Sequence, residues 1–105
     1  MRIIEITDEH IKFDNDKKIT FDHDQDCCEY NFADFKQIDD LGKDYDYPEE
    51  LIFEFVDESG FRFGDENFKT FIPCYSEQNG YYTNNIDIYY NDEIVCCGSC
   101  EEHLD

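Results

Sequence analysis

Short segments in which bulky apolar residues alternate with polar or acidic ones recur along the whole chain. One carries Ile19 and Phe21, and another carries Leu51, Phe53 and Phe55. Because successive side chains of a β-strand point to opposite faces, this two-residue period predicts strands that bury one face and expose the other. A chain of 105 residues has the usual size of one domain. We therefore expect a single domain over residues 1–105, built mostly from antiparallel β-sheet.

Polar turn signals between these segments predict about six or seven strands. The predicted turns lie at 14–16, 59–60, 79–80 and 91–92. The Asn79-Gly80 pair is a strong hairpin signal, and it predicts that a strand at 68–75 pairs with a strand at 81–90. The first turn predicts an N-terminal hairpin that contains Ile11, Phe13 and Ile19.

One short helix is predicted near residue 35. Asp34 and Gln37 have the spacing of a capping box, and Phe35, Ile38 and Leu41 recur at helical spacing. Glycine follows directly at position 42, where a helix commonly ends. With this helix beside the sheet, the expected fold class is α+β.

The chain is intensely acidic, with 28 Asp and Glu against 8 Lys and Arg and a formal net charge of −20. Ten Phe and eight Tyr supply a core that disordered acidic segments lack. Such a charge repels anionic membranes and bare nucleic acid and attracts basic protein surfaces. No apolar signal region or run of about 18 apolar residues is present. We therefore expect a cytoplasmic protein. We also expect a monomer, because repulsion between equally charged copies opposes self-association.

Six cysteines suggest a structural zinc site, since five of them fall in two dense clusters. The C-terminal cluster contains Cys97-Gly98-Ser99-Cys100, a Cys-x-x-Cys whose glycine suits a metal-binding knuckle. The alternation places His23 and Cys28 on inward faces. Three thiolates and one imidazole suit tetrahedral Zn²⁺, and the predicted ligands are His23, Cys28, Cys97 and Cys100. The alternates are Cys27, Cys96 and His103. Such a site would pin a cysteine-rich tail, residues 96–105, onto the N-terminal hairpin.

Other interpretations of these residues stay open. The cysteines could be small core side chains, with His23 donating a buried hydrogen bond. A thiol enzyme is the weaker alternative, because the acidic residues around Cys27 and Cys28 disfavour a thiolate. A calcium loop starting at Asp22 is excluded, since its sixth position is Cys27 where glycine is needed and its twelfth is Ala33 where Glu is needed.

Two motifs carry a resemblance to a known group of proteins. The runs His-Asp-Gln-Asp-Cys-Cys-Glu at 23–29 and Ser-Glu-Gln-Asn-Gly-Tyr-Tyr at 76–82 stand in the same order and spacing in a family of small proteins of unknown function from bacteriophages and mobile elements. The chain resembles that family over about residues 3–90. The resemblance implies a phage origin and a compact, mostly β domain, and it assigns no catalytic residue.

By type, a small acidic phage protein without an enzymatic motif is similar to anti-CRISPR inhibitors. The expected partner is therefore a basic, nucleic-acid-handling protein such as a type II RNA-guided nuclease, whose channels hold phosphates with Lys and Arg. Acidic residues on turns and loops are the predicted contacts: Asp22, Asp24, Asp26, Asp44, Asp46, Glu49 and Glu50. The alternatives are a structural or regulatory phage protein with another partner, and a small thiol or metal enzyme.

Overall fold

A computed structural model describes residues 1–22, 29–78 and 85–104. These ranges contain ten strands, a 3₁₀ turn at Phe35–Gln37 and one helix, α1, at Asp40–Asp44. The strands are β1 (Ile3–Ile6), β2 (His10–Phe13), β3 (Lys18–Asp22), β4 (Glu29–Ala33), β5 (Ile52–Val56), β6 (Gly60–Gly64), β7 (Lys69–Gln78), β8 (Asn85–Tyr90), β9 (Glu93–Ser99) and β10 (Glu101–Leu104). The predicted mostly antiparallel β architecture is confirmed, with more strands than the sequence indicated.

The strands form two five-stranded sheets. The first has the order β1-β2-β3-β8-β9, and the second has the order β10-β7-β6-β5 with β4 also paired to β7. The first half of β7 pairs with β6 and its second half pairs with β4 and β10. Among the described strands, β10 against β7 is the one parallel pair.

The inner faces of the two sheets enclose one hydrophobic core. Alternate residues of β2 and β8, such as Phe13 and Ile88, are fully buried from the first sheet, and Phe61, Phe63 and Ile72 are fully buried from the second. This is the burial that the two-residue period of the sequence predicts. The ring of Phe13 lies edge-on to Phe63 at 6.4 Å and so joins the two sheets.

Three of the four predicted turns connect paired strands. The turns at 14–16 and 59–60 join β2 to β3 and β5 to β6, and the turn at 91–92 joins β8 to β9. Asn91 and Asp92 have positive φ values of 52° and 66°, which a type I′ turn requires and which Asn and Asp tolerate. These local predictions are confirmed.

The predicted hairpin between the strands before and after Asn79-Gly80 is wrong. In the described ranges β7 belongs to the second sheet, whereas β8 belongs to the first and pairs with β3 and β9. Asn79 and Gly80 lie outside the described residues. The reason is that both edges of β7 are taken by β4, β6 and β10, so no edge is left for β8.

The predicted helix is divided into two short elements. Ile38 and Asp39 have extended ψ values of 135° and 168°, which separate the 3₁₀ turn from α1. Asp39 caps α1 by accepting a 2.7 Å hydrogen bond from the Gly42 amide, so Gly42 lies inside the helix and does not end it. Leu41 is exposed. No helix in the described part of the chain is long and apolar enough to cross a membrane.

The cysteine-rich tail is held by strand pairing. Its first four residues are part of β9, which pairs with β8, and Glu101–Leu104 form β10 along β7. The sequence predicted that this tail would be pinned to the N-terminal hairpin. In the described residues its backbone partners are β7 and β8, and the chain passes from the first sheet to the second at Cys100. The predicted link to the hairpin runs through His23 and Cys28, which lie outside the described residues, so it stays a prediction.

Candidate functional site

The predicted zinc ligands lie in different surroundings. Cys97 is exposed on β9, whereas Cys100 is fully buried between β9 and β10. The ligands His23 and Cys28, and the alternate Cys27, lie outside the described residues. Of the other alternates, Cys96 is half-buried, and His103 belongs to β10. No three His, Cys, Asp or Glu side chains of the described ranges are placed to hold a metal ion together. The four-ligand zinc site therefore stays a prediction.

The buried partner of Cys100 is Cys74, which is not among the predicted zinc ligands or their alternates. Both thiols are fully buried, and their side chains are hydrogen-bonded to each other. This hydrogen bond and the burial both raise the pKa of Cys74. Burial also raises the pKa of Cys96 to about 12. Cys74 and Cys96 are therefore neutral at physiological pH. Cys74 lies on β7, where alternation with Ile72 could have shown it to face inward.

Four connections meet at one end of the sandwich, which we call the acidic end. It consists of residues 14–17, 44–51, 65–68 and 91–93. Several hydrogen bonds hold these connections side by side: the Tyr90 hydroxyl donates to the Glu49 carbonyl at 2.8 Å, the Asn91 amide donates to the Lys18 carbonyl at 2.9 Å, and the Tyr45 hydroxyl donates to Asp65 at 2.5 Å. The end is therefore one continuous surface.

Ten carboxylates and one basic side chain, Lys17, lie within the acidic end. The carboxylates are Asp14, Asp16, Asp44, Asp46, Glu49, Glu50, Asp65, Glu66, Asp92 and Glu93. Nine of them are exposed and Asp65 is half-buried. Like charges at this density produce a strong local negative potential, which attracts basic groups in solution. Four of the predicted contacts, Asp44, Asp46, Glu49 and Glu50, are members of this set.

Asp22, another predicted contact, does not lie on this surface. Asp22 is at the far end of β3, opposite Asp87 on β8, whereas Lys18 at the near end of β3 adjoins the turn of β8 and β9. Asp24 and Asp26 lie outside the described residues. A strand of five residues spans about 13 Å, so Asp22 cannot share one small contact area with the loop at 44–51.

Aromatic side chains hold the loop of the acidic end in place. Tyr47 is buried, and its hydroxyl donates a 2.7 Å hydrogen bond to the Gly42 carbonyl. The Tyr47 amide donates to the Met1 carbonyl at 2.7 Å, which fixes the loop to the start of the first sheet. The ring of Tyr45 packs against that of Phe68, in the β6–β7 connection, with 4.4 Å between the ring centres. The carboxylates are thus carried on a fixed backbone.

Basic groups near the acidic end neutralise it only in part. The N-terminal ammonium lies 3.0 Å from Asp46, and Arg2 lies 4.0 Å from Asp44. Both carboxylates are more than four-fifths exposed, and ion pairs of this kind contribute about 0–1 kcal/mol. The hydrogen bond from Tyr45 lowers the pKa of Asp65, and the Asn67 and Phe68 amides lower it further. Asp65 therefore keeps its negative charge at neutral and mildly acidic pH.

Tyr47 makes the stability of this end sensitive to alkaline pH. Burial raises the pKa of its phenol to about 12, against about 10 in the unfolded chain. The folded state therefore holds this proton more tightly, and the contribution is complete below pH 10 and lost as pH rises towards 12. Between pH 9 and pH 11 we expect the wild type to lose about 1 kcal/mol more unfolding free energy than Tyr47→Phe, measured by urea denaturation. An equal loss in both proteins would contradict this assignment.

A small cavity of about 220 Å³ lies elsewhere, lined by Asp8, Phe32, Ala33 and Asp34. Its two carboxylates already have partners in the fold. Lys36 lies 3.0 Å from Asp8, and the Gln37 amide donates a 2.7 Å hydrogen bond to Asp34. The cavity is therefore a weaker candidate for a charged partner than the acidic end, where most carboxylates are exposed.

No protein-family model matches the chain, and no curated protein or solved structure is significantly similar to it. The resemblance to the phage family therefore stays a prediction from the two motifs. The acidic end and the buried thiol pair are described from this structure alone.

Proposed function

We propose that this protein acts by binding a basic surface on another macromolecule, and that the acidic end is the binding surface. The observation that carries the proposal is the excess of ten carboxylates over one basic side chain in four adjoining connections. A charge excess of this kind speeds association with an oppositely charged partner and disfavours wrong partners.

The fixed backbone of the acidic end also favours binding. Tyr45 and Tyr47 hold the loop at 44–51 by ring contacts and hydrogen bonds, so little backbone freedom remains to be lost in a complex. Ordering a loose loop would reduce the net affinity, and a loop that is already ordered avoids this cost. The surface therefore presents its charges in one arrangement.

The partner class that we propose is a nucleic-acid-handling protein, and in particular a type II RNA-guided nuclease. The channels of such nucleases carry Lys and Arg that hold phosphates, and an acidic surface can compete for the same groups. The protein would then be a phage-derived inhibitor that works by occupying the channel. This step is supported by the net charge and by the resemblance of the two motifs to phage proteins. A structural zinc ion is a separate proposal from the sequence, and the binding function does not depend on it.

Two variants with equal net charge test the surface. In the acidic-end variant four carboxylates are replaced by amides: Asp44→Asn, Asp46→Asn, Glu49→Gln and Glu50→Gln. The control variant makes the same number of changes in turns at the opposite end: Asp8→Asn, Glu9→Gln, Asp57→Asn and Glu58→Gln. Asp8 and Glu9 precede β2, whose other end leads into the turn at 14–17. The Glu58 amide donates to the carbonyl of Ser99, at the end of β9 away from residues 91–93, at 2.8 Å. Both variants have a formal charge four units less negative than −20.

Binding to a purified, guide-loaded type II nuclease is measured by titration at several salt concentrations. We expect the acidic-end variant to bind at least about tenfold more weakly at low salt, and to lose much of the salt dependence, because fewer charges lie at the contact. The control variant should bind nearly as the wild type does. Equal weakening in both variants would show that only net charge matters, and absence of binding at low salt would reject the nuclease as partner.

A further inference from the structure

Cys74 and Cys100 each lie one residue before the first matched pair of β7 and β10. In the parallel pair of β7 and β10, Glu101 lies opposite Tyr75. Cys100 and Cys74 come one residue earlier in their segments, and their thiols are hydrogen-bonded to each other. Neighbouring strands are about 4.8 Å apart, within the range of about 4.4–6.8 Å that separates the Cα atoms of disulfide-linked cysteines. A bond between the two sulfurs therefore needs little backbone movement.

We propose that Cys74 and Cys100 are a dithiol site that is oxidised to a disulfide by a low-molecular-weight disulfide, a use of Cys100 that excludes it as a zinc ligand. The thiolate of Cys100 attacks one sulfur of the small disulfide, and the first small thiol leaves with a proton. The Cys74 sulfur then attacks the Cys100 sulfur of this mixed disulfide, and the second small thiol leaves with the proton that Cys74 loses. The two cysteines lose two protons and two electrons, and the small disulfide is reduced to two thiols.

The position of Cys100 explains how a buried thiol can react. It lies where the chain leaves β9 in the first sheet and enters β10 in the second. In the described part of the chain, β10 has four residues and pairs with β7 alone. Short edge strands open locally far more often than a whole domain unfolds, and such opening would uncover Cys100 without exposing the core. The exposed Cys97 is not aligned with Cys74 and supplies an internal control.

The disulfide would also strengthen the fold. It closes a loop that contains β8 and β9, and it ties the first sheet to the second at the point where the chain crosses between them. Closing a loop of this length restricts the unfolded chain considerably. For a domain of this size we expect the melting temperature to rise on the order of 10 °C.

The test treats the full-length protein with glutathione disulfide, blocks the remaining thiols and maps the linkages without reduction. Cleavage after acidic residues separates the two cysteines, because Glu77, Asp87 and Glu93 lie between them. The peptide that carries Cys100 also carries Cys96 and Cys97, so fragmentation of the linked pair by mass spectrometry assigns the bond. We expect it to join Cys74 to Cys100, with Cys96 and Cys97 blocked. The melting temperature should rise in the wild type and in Cys97→Ala, and this rise should be lost in Cys100→Ala.

The wild-type linkage map decides the proposal even if Cys100→Ala folds poorly. The proposal is overturned if Cys74 stays free while other cysteines are oxidised, or if Cys100 is linked to a different cysteine. It is also overturned if oxidation raises the melting temperature of Cys100→Ala as much as that of the wild type.

Discussion

Phe13→Ala should lower the free energy of unfolding by about 3–5 kcal/mol, the usual cost of removing a buried ring. The Phe13 side chain is fully buried on β2. Its ring contacts Tyr47 at 5.8 Å and both Phe63 and Tyr90 at 6.4 Å, each in an edge-on arrangement. These partners come from the loop of the acidic end and from both sheets, so the cavity cannot close by moving one element. Urea denaturation at neutral pH measures the loss.

Phe71→Ala is the matched control. Phe71 carries the same ring on β7, but it is 43% exposed on the outer face of the second sheet. Removing it should cost less than about 1 kcal/mol, since little buried contact is lost. If the two variants lost similar amounts of stability, Phe13 would not be the link between the sheets.

The same contacts connect the core to the proposed function. Tyr47 fixes the loop that carries Asp44, Asp46, Glu49 and Glu50, and Phe13 lies directly against its ring. The acidic end is thus built on the core, and its charges are not borne by a detachable segment. A partner that meets this end therefore meets a surface whose shape is set by aromatic packing.

Features determined by nearby residues could be predicted from the sequence. The hairpin of β2 and β3 and the hairpin of β8 and β9 follow from alternation and a polar turn, because each pairing lies within about fifteen residues. The assignment of β7 and β8 to different sheets could not be predicted from nearby residues. Asn79-Gly80 indicates a turn, but which strand fills each edge of β7 depends on β4, β6 and β10, which are distant in sequence.

The bounds of the predicted helix differ from those in the structure for a related reason. Phe35, Ile38 and Leu41 have helical spacing, yet Ile38 and Asp39 adopt extended conformations that place Ile38 in the core and leave Leu41 in solvent. Tertiary packing overrides a short periodic signal of this kind, since five or six residues gain little from helix formation alone.

Part of the candidate site could be predicted from the sequence. The sequence shows that the turns and loops are acidic, but it does not show that four of them adjoin, because this depends on the order of strands in both sheets. Asp22 was grouped with Asp44 and Asp46 because all three were predicted to lie on turns or loops, and the structure places it at the end of β3 away from the acidic end. Alternation along β7 could have identified Cys74 as an inward thiol, whereas its contact with Cys100 follows from the parallel pairing of β10.

Gly60→Ala, in the β5–β6 connection, should lower the free energy of unfolding by at least about 3 kcal/mol, although it adds only one methyl group. The sequence indicates a turn at Ser59-Gly60, but not that a side chain is forbidden there. Gly60 has a φ of +157°, and a Cβ atom would lie 2.1 Å from the Ile72 carbonyl oxygen and 2.8 Å from the Pro73 Cα. Both are backbone atoms of β7.

β7 cannot move away from such a methyl group. Its second half pairs with β4 on the opposite side, and the Asp34 amide donates a 2.9 Å hydrogen bond to the Pro73 carbonyl. Ser59→Ala is the control in the same turn, because it keeps the Ser59 carbonyl that accepts a 3.0 Å hydrogen bond from the Cys74 amide. It should cost less than about 1 kcal/mol by urea denaturation. A Gly60→Ala variant as stable as Ser59→Ala would contradict the close approach of β6 and β7, and with it the position of Cys74 beside Cys100.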